Sequence, residues 1–187
     1  MNLSIVFNSI IIICELLGLF MGLNGEWYLY FTNLSNIFAL IGTCLYLYSL
    51  ITHQYKRLAS LLKYMGVCVT TLTFLVVVCI LVPMQGIQML YMGNFIFFHL
   101  ICPILLFISF VFIDAYQLDD NDYKLGILPT VIYSTIVIIL NILKIIEGPY
   151  PFLMVYQQPI YMSIIWVCVI IGICIIVSKL LLKMKNM

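Results

Sequence analysis

The sequence predicts an all-α polytopic membrane protein, a bundle of six transmembrane helices with both termini in the cytoplasm. Three observations carry that reading. Of 187 residues, 65% are hydrophobic and only 8% charged, more apolar surface than a soluble domain of this length can hide. The apolar residues gather in runs of about twenty, the length that crosses a hydrocarbon core. The connections between runs are short and hold most of the charge, so neighbouring helices run antiparallel in one compact bundle.

The first span is expected over 3–21, and with no basic stretch or small-residue cleavage site before it, it reads as a retained helix. The second covers 28–51 and opens behind Trp27, Tyr28 and Tyr30, an aromatic belt suited to the outer interface. The third covers 61–83 and the fourth 94–115, where Pro103 follows His99 by four residues. Proline has no N–H, so a kink is expected at the His99 carbonyl. The fifth covers 125–143 and the sixth 159–178, with the loop PYPFL (149–153) between them. Neither an internal repeat nor a second domain is evident.

Lysine and arginine set the orientation. Lys56, Arg57, Lys63, Lys124, Lys179, Lys183 and Lys185 fall on the side of the termini, while Lys144 falls opposite; the positive-inside rule places the termini in the cytoplasm. Asp119, Asp120 and Asp122 read as a solvated turn, Asp114 as an interfacial acid and His53 as a solvated loop residue. A net charge of +1 and the lack of a glycine-rich phosphate loop give no footing for nucleic acid or nucleotide. The seven cysteines are scattered through apolar runs without a CxxC pair, and the two histidines lie on opposite sides. No metal, cofactor or disulfide framework is expected.

Polar residues within spans mark function by default, because lipid cannot satisfy them. At about 1.5 Å of rise per residue, Thr32 lies roughly 6 Å below the outer start of its span, His99 roughly 7 to 8 Å and Glu15 roughly 10 Å. Three helices thus bring polar side chains to one layer in the outer half of the bilayer. Thr32, Ser35, Asn36 and Thr43 share one stripe of the second span, and Ser4, Asn8, Glu15, Gly18 and Gly22 one face of the first. Such faces turn inward. Each serine or threonine taken singly is more often helix–helix glue than a reactive group; the shared depth is the stronger signal.

YFTNLSN (30–36), HLICPILLF (99–107) and PYPFL (149–153), in this order, resemble the androgen-induced-protein family of six-helix membrane proteins, particularly its small prokaryotic members. The resemblance covers nearly the whole chain. It implies an intramembrane hydrolase of lipid esters, such as fatty-acid esters of hydroxy fatty acids, with Thr32 as nucleophile and His99 as base. The expected partner is a membrane lipid or acyl-chain substrate.

Beside that resemblance the residues suggest supporting roles. Asn36, Ser35 or Asn33 can donate to a developing oxyanion, and Glu15 can orient the imidazole as the third member of a triad does. Tyr150, Pro151 and Phe152 form a candidate substrate gate. The same polar layer also suits a substrate-binding membrane subunit of a small-molecule transporter, or a scaffold whose polar contacts only lock the bundle.

Overall fold

A computed structural model describes residues 3–22, 25 and 27–187, the side chain of Pro151 apart. Among these residues there is no strand, and six helices are long and apolar enough to cross a membrane: α1 (Leu3–Gly22), α2 (Phe31–Thr52), α3 (Lys56–Gln85), α4 (Ile96–Ile113), α5 (Asp120–Ile142) and α6 (Ile160–Lys185). The third starts five residues before its expected bound and the sixth runs seven beyond it. The α6 extension carries Lys185, which is buried against the bundle.

The bundle is built with polarity turned inward. On α1 the buried positions are Ser4, Asn8, Ile11, Glu15 and Gly18, spaced by three and four residues as one helical face, while Ile13, Leu16 and Phe20 point outward. The stripe on α2 is buried likewise at Thr32, Ser35, Asn36 and Thr43. α2 and α3 make the tightest pair. A Cβ on Gly42 would lie 2.7 Å from the Leu62 carbonyl oxygen, and one on Gly66 would lie 2.7 Å from the Ala39 Cα. Only glycine lets the two backbones approach so closely.

Pro103 acts on α4 through a widened turn. The stretch Ile96–Ile101 is π-helical and its last bond runs from the Cys102 N–H to the Phe97 carbonyl. Without an N–H at 103 the regular ladder cannot continue, and the five-residue spacing takes it up. The wider turn keeps both Phe98 and His99 buried. α3 does the same before Pro83, with a π-helical turn at Val77–Leu81.

Two charged residues are drawn into the bundle. Lys63, counted from the sequence only for its side of the membrane, is 1% exposed within α3. Asp114, read as an interfacial acid at the end of its span, is 6% exposed at the end of α4 and forms an ion pair with Lys63. The Lys63 ammonium also donates to Asn8 Oδ1 (2.5 Å) and Ser109 Oγ (2.7 Å) and lies 4.6 Å from the centre of the Tyr46 ring. Asp114 in turn accepts from Ser4 Oγ at 2.8 Å and Asn8 Nδ2 at 3.2 Å, and the Lys185 ammonium donates to its backbone carbonyl. The cluster fastens α1, α3, α4 and α6 together and puts the start of α1 and the end of α6 at one end of the bundle. Asp122 is likewise more than a solvated turn residue: it is buried, caps the first turn of α5 with Asp119, and pairs with Arg57 at 3.1 Å.

Candidate active site

At the end of the bundle away from the termini, α2 begins at Phe31, so Thr32 stands in its first turn. Its hydroxyl lies 3.4 Å from His99 Nε2 on α4. The other ring nitrogen, Nδ1, lies 2.5 Å from the backbone carbonyl of Met89 in the short turn Ile87–Leu90 between α3 and α4. A carbonyl can only accept, so Nδ1 carries the proton in the neutral ring. That leaves the Nε2 lone pair facing the threonine hydroxyl. Phe95 stacks on the imidazole with centroids 4.8 Å apart and planes 15° from parallel, which fixes the plane of the ring.

The Met89 carbonyl therefore holds the orienting position expected of Glu15. Glu15 is 0% exposed and lies beside the Cys102 thiol, one turn along α4 from His99. It shares the buried interior with the site but does not touch the imidazole nitrogens.

The three expected oxyanion donors are also engaged elsewhere. Asn33 Nδ2 donates to the Trp27 carbonyl at 3.0 Å. Asn36 Nδ2 and Ser35 Oγ donate to the Thr32 carbonyl at 2.7 Å and 2.9 Å. Those two bonds brace the turn that carries Thr32, a positioning role set by their i+3 and i+4 spacing.

Tyr150, expected in a gate, is instead part of the site. Only 8% exposed, it accepts a hydrogen bond from the Thr32 N–H at 3.3 Å and has its oxygen 3.5 Å from Thr32 Oγ1. The Thr32 N–H is one of the unpaired donors of a helix start, and the phenol caps α2 with its oxygen. Its ring stacks on Phe152 (5.2 Å, 1°) and meets Tyr30 edge-on (6.2 Å, 86°). Burial pushes the phenol above its ordinary value. Phe152 leans on Trp166 of α6 at 5.7 Å, and Pro151 opens the turn Pro151–Leu153. The sequence offered one signal for Tyr150: a tyrosine between two prolines in the apolar stretch PYPFL has a hydroxyl that must find a partner if buried.

Two cavities meet here. A narrow one of about 60 Å³ has Thr32 and Tyr150 in its wall and is otherwise lined mainly by apolar side chains of α3 and α6. A wide groove of about 1250 Å³ lies between α2 and α5 and reaches Glu147 and Gly148 in the loop. Phe31 and Tyr133, 4.9 Å apart, line both. His99 lines neither, so it meets Thr32 from within the protein. Among the described residues no group of three or more metal-ligating side chains gathers. Comparison with protein-family models, with curated proteins and with solved structures returned no match to this chain.

Proposed function

We propose that this protein is an intramembrane lipid-ester hydrolase in which Thr32 is the nucleophile and His99 the general base. One observation carries the reading: the Thr32 hydroxyl faces a histidine nitrogen whose lone pair is directed at it by the Met89 carbonyl. A threonine hydroxyl becomes a useful nucleophile only when a base takes its proton, and a heavy-atom separation of 3.4 Å in the free protein shortens when substrate closes the site. The resemblance of YFTNLSN, HLICPILLF and PYPFL to the androgen-induced-protein family supports the same chemistry. The lysine and arginine distribution supports a site in the outer half of the cell membrane, with both termini in the cytoplasm.

Thr32 Oγ1 attacks the ester carbonyl while His99 Nε2 takes the hydroxyl proton. Charge develops on the carbonyl oxygen, and the Tyr150 O–H, held beside Thr32, donates to it. The intermediate collapses with loss of the alcohol, which leaves with the proton from His99. Water then attacks the acyl-threonine, giving its proton to the same nitrogen, and the acid departs as Thr32 is restored. A membrane interior that excludes bulk water strengthens each of these contacts.

A fluorophosphonate lipid probe on purified protein tests the assignment. Wild type is expected to be labelled on Thr32, as mapped by peptide mass, and to cleave fluorescent acyl esters. Thr32→Ala abolishes both, and His99→Ala lowers turnover by at least about 10³-fold. Full turnover in both variants overturns the reading.

A further inference from the structure

One turn beneath the Thr32–His99 pair lies a second buried polar layer that the proposed chemistry does not use. α2 and α4 run parallel, so Asn36, one turn beyond Thr32, is level with Cys102, one turn beyond His99. Glu15 of α1 lies beside the Cys102 thiol. One turn further out on α1, a Cβ on Gly18 would lie 2.4 Å from the ring of Phe98. Glu15, Asn36 and Cys102 are fully buried. Phe98 closes the layer on its outer side, and Ile11 and Leu106 close it on the inner side.

The layer is rich in oxygen acceptors and poor in donors. Asn36 Nδ2 donates to the Thr32 carbonyl at 2.7 Å, which assigns the amide and turns Oδ1 the other way. That Oδ1 has no hydrogen-bond partner among the described residues. Beside the Glu15 carboxyl stands only the weak S–H of Cys102; no N–H or O–H of the described residues reaches either carboxyl oxygen. α4 adds a backbone oxygen. The Cys102 N–H is spent on the Phe97 carbonyl, and Pro103, next in that five-residue spacing, has no N–H for the Phe98 carbonyl. Helix carbonyls point toward the C-terminal end, so this one looks from Phe98 down to the level of Cys102 and Glu15.

Acceptors gathered in a dry interior need a positive charge among them. The two carboxyl oxygens, Asn36 Oδ1 and the Phe98 carbonyl are hard ligands that carry a single negative charge between them. A divalent ion would keep an uncompensated charge, since the next acid inward, Asp114, is already paired with Lys63. We infer that Glu15, Asn36 Oδ1 and the Phe98 carbonyl form a binding site for one sodium ion. Glu15 supplies the charge, and the proline interruption of α4 frees the backbone oxygen, as interrupted membrane helices do at cation sites. The site stands independently of the hydrolase reading, because sodium binds whether or not Thr32 reacts.

Thermal unfolding of the full-length protein in phosphatidylcholine nanodiscs tests the site. Reaction of the buried thiols of Cys68 and Cys174 reports unfolding, with sodium chloride set against choline chloride at equal ionic strength. Sodium is expected to raise Tm saturably, by about 5 °C or more at a hundredfold its Kd, and calcium chloride to do no more than choline. Glu15→Gln keeps the shape and removes the charge, so it should fold and yet ignore sodium. Glu15→Asp keeps the charge and shortens the reach, so it should need at least about tenfold more sodium. Infrared difference spectra on exchanging choline for sodium should show the protonated carboxyl band of Glu15 giving way to carboxylate bands, a change missing from Glu15→Gln. Three results each overturn the inference: sodium no better than choline, an unaltered sodium response in Glu15→Gln, or a protonated Glu15 band that persists in saturating sodium. In the last case a proton, not a metal ion, holds the layer.

Discussion

Replacing Lys63 by Met keeps the length of the side chain and removes its charge. The consequence follows from what surrounds it. Asp114, 6% exposed, would retain three neutral donors: Ser4 Oγ at 2.8 Å, Asn8 Nδ2 at 3.2 Å and Ser109 Oγ at 3.3 Å. It would lose its direct countercharge, leaving Lys185 bound only to its backbone carbonyl. Asn8 Oδ1 would lose the donor that Lys63 gives it. Breaking a buried pair by removing one partner costs about 3–5 kcal/mol, because the remaining charge stays desolvated. Lys63→Met is therefore expected to destabilise the bundle by that amount, and Asp114→Leu comparably. The double variant should cost less than the sum by at least about 2 kcal/mol, because neither charge is then left alone. Reversible unfolding in mixed micelles, followed by reaction of the buried thiols of Cys68, Cys102 and Cys174, measures all three. If Lys63→Met costs under about 1 kcal/mol, or the two losses simply add, the cluster is not the fastening described above.

The remaining predictions concern the site. Tyr150→Phe keeps the stacking on Phe152 and removes the O–H, so turnover should fall about 10²–10³-fold with little change in KM; steady-state kinetics on a fluorescent ester decides it. Because burial raises the Tyr150 phenol above its ordinary value, the donor stays protonated through the neutral range, and any loss of rate from its ionisation falls above about pH 10. Glu15→Gln should leave turnover within about threefold, since the Met89 carbonyl and not Glu15 holds the imidazole; a loss of about a hundredfold would restore Glu15 to the triad. Gly66→Val forces a side chain against the Ala39 backbone and should destabilise the bundle by about 1–3 kcal/mol in the same unfolding assay.

The inward faces of α1 and α2 were legible residue by residue, because a helix repeats every 3.6 residues whatever it packs against. The common depth of Thr32 and His99 was legible for a similar reason: helical rise is a local constant, and the spans are anchored by their apolar lengths. Depth alone does not fix rotation about the helix axis, which is why Glu15 belonged to the right layer and yet faces Cys102. The roles of Asn33, Ser35 and Asn36 were lost to their own backbone, since donors two or three bonds from a helix turn meet nearby carbonyls before they meet a ligand.

The amino-acid sequence by itself determined the number and approximate limits of the spans and the faces that turn inward. These depend on hydrophobic length and helical periodicity, which act within single segments. Tertiary structure alone decided three things: that Lys63 and Asp114, 51 residues apart, meet as a buried pair; that the Met89 carbonyl sets the histidine tautomer; and that a loop tyrosine 118 residues from Thr32 caps the helix that bears it. Each joins distant segments through the path of a loop or the rotation of one helix against another, and no period in a single segment encodes either.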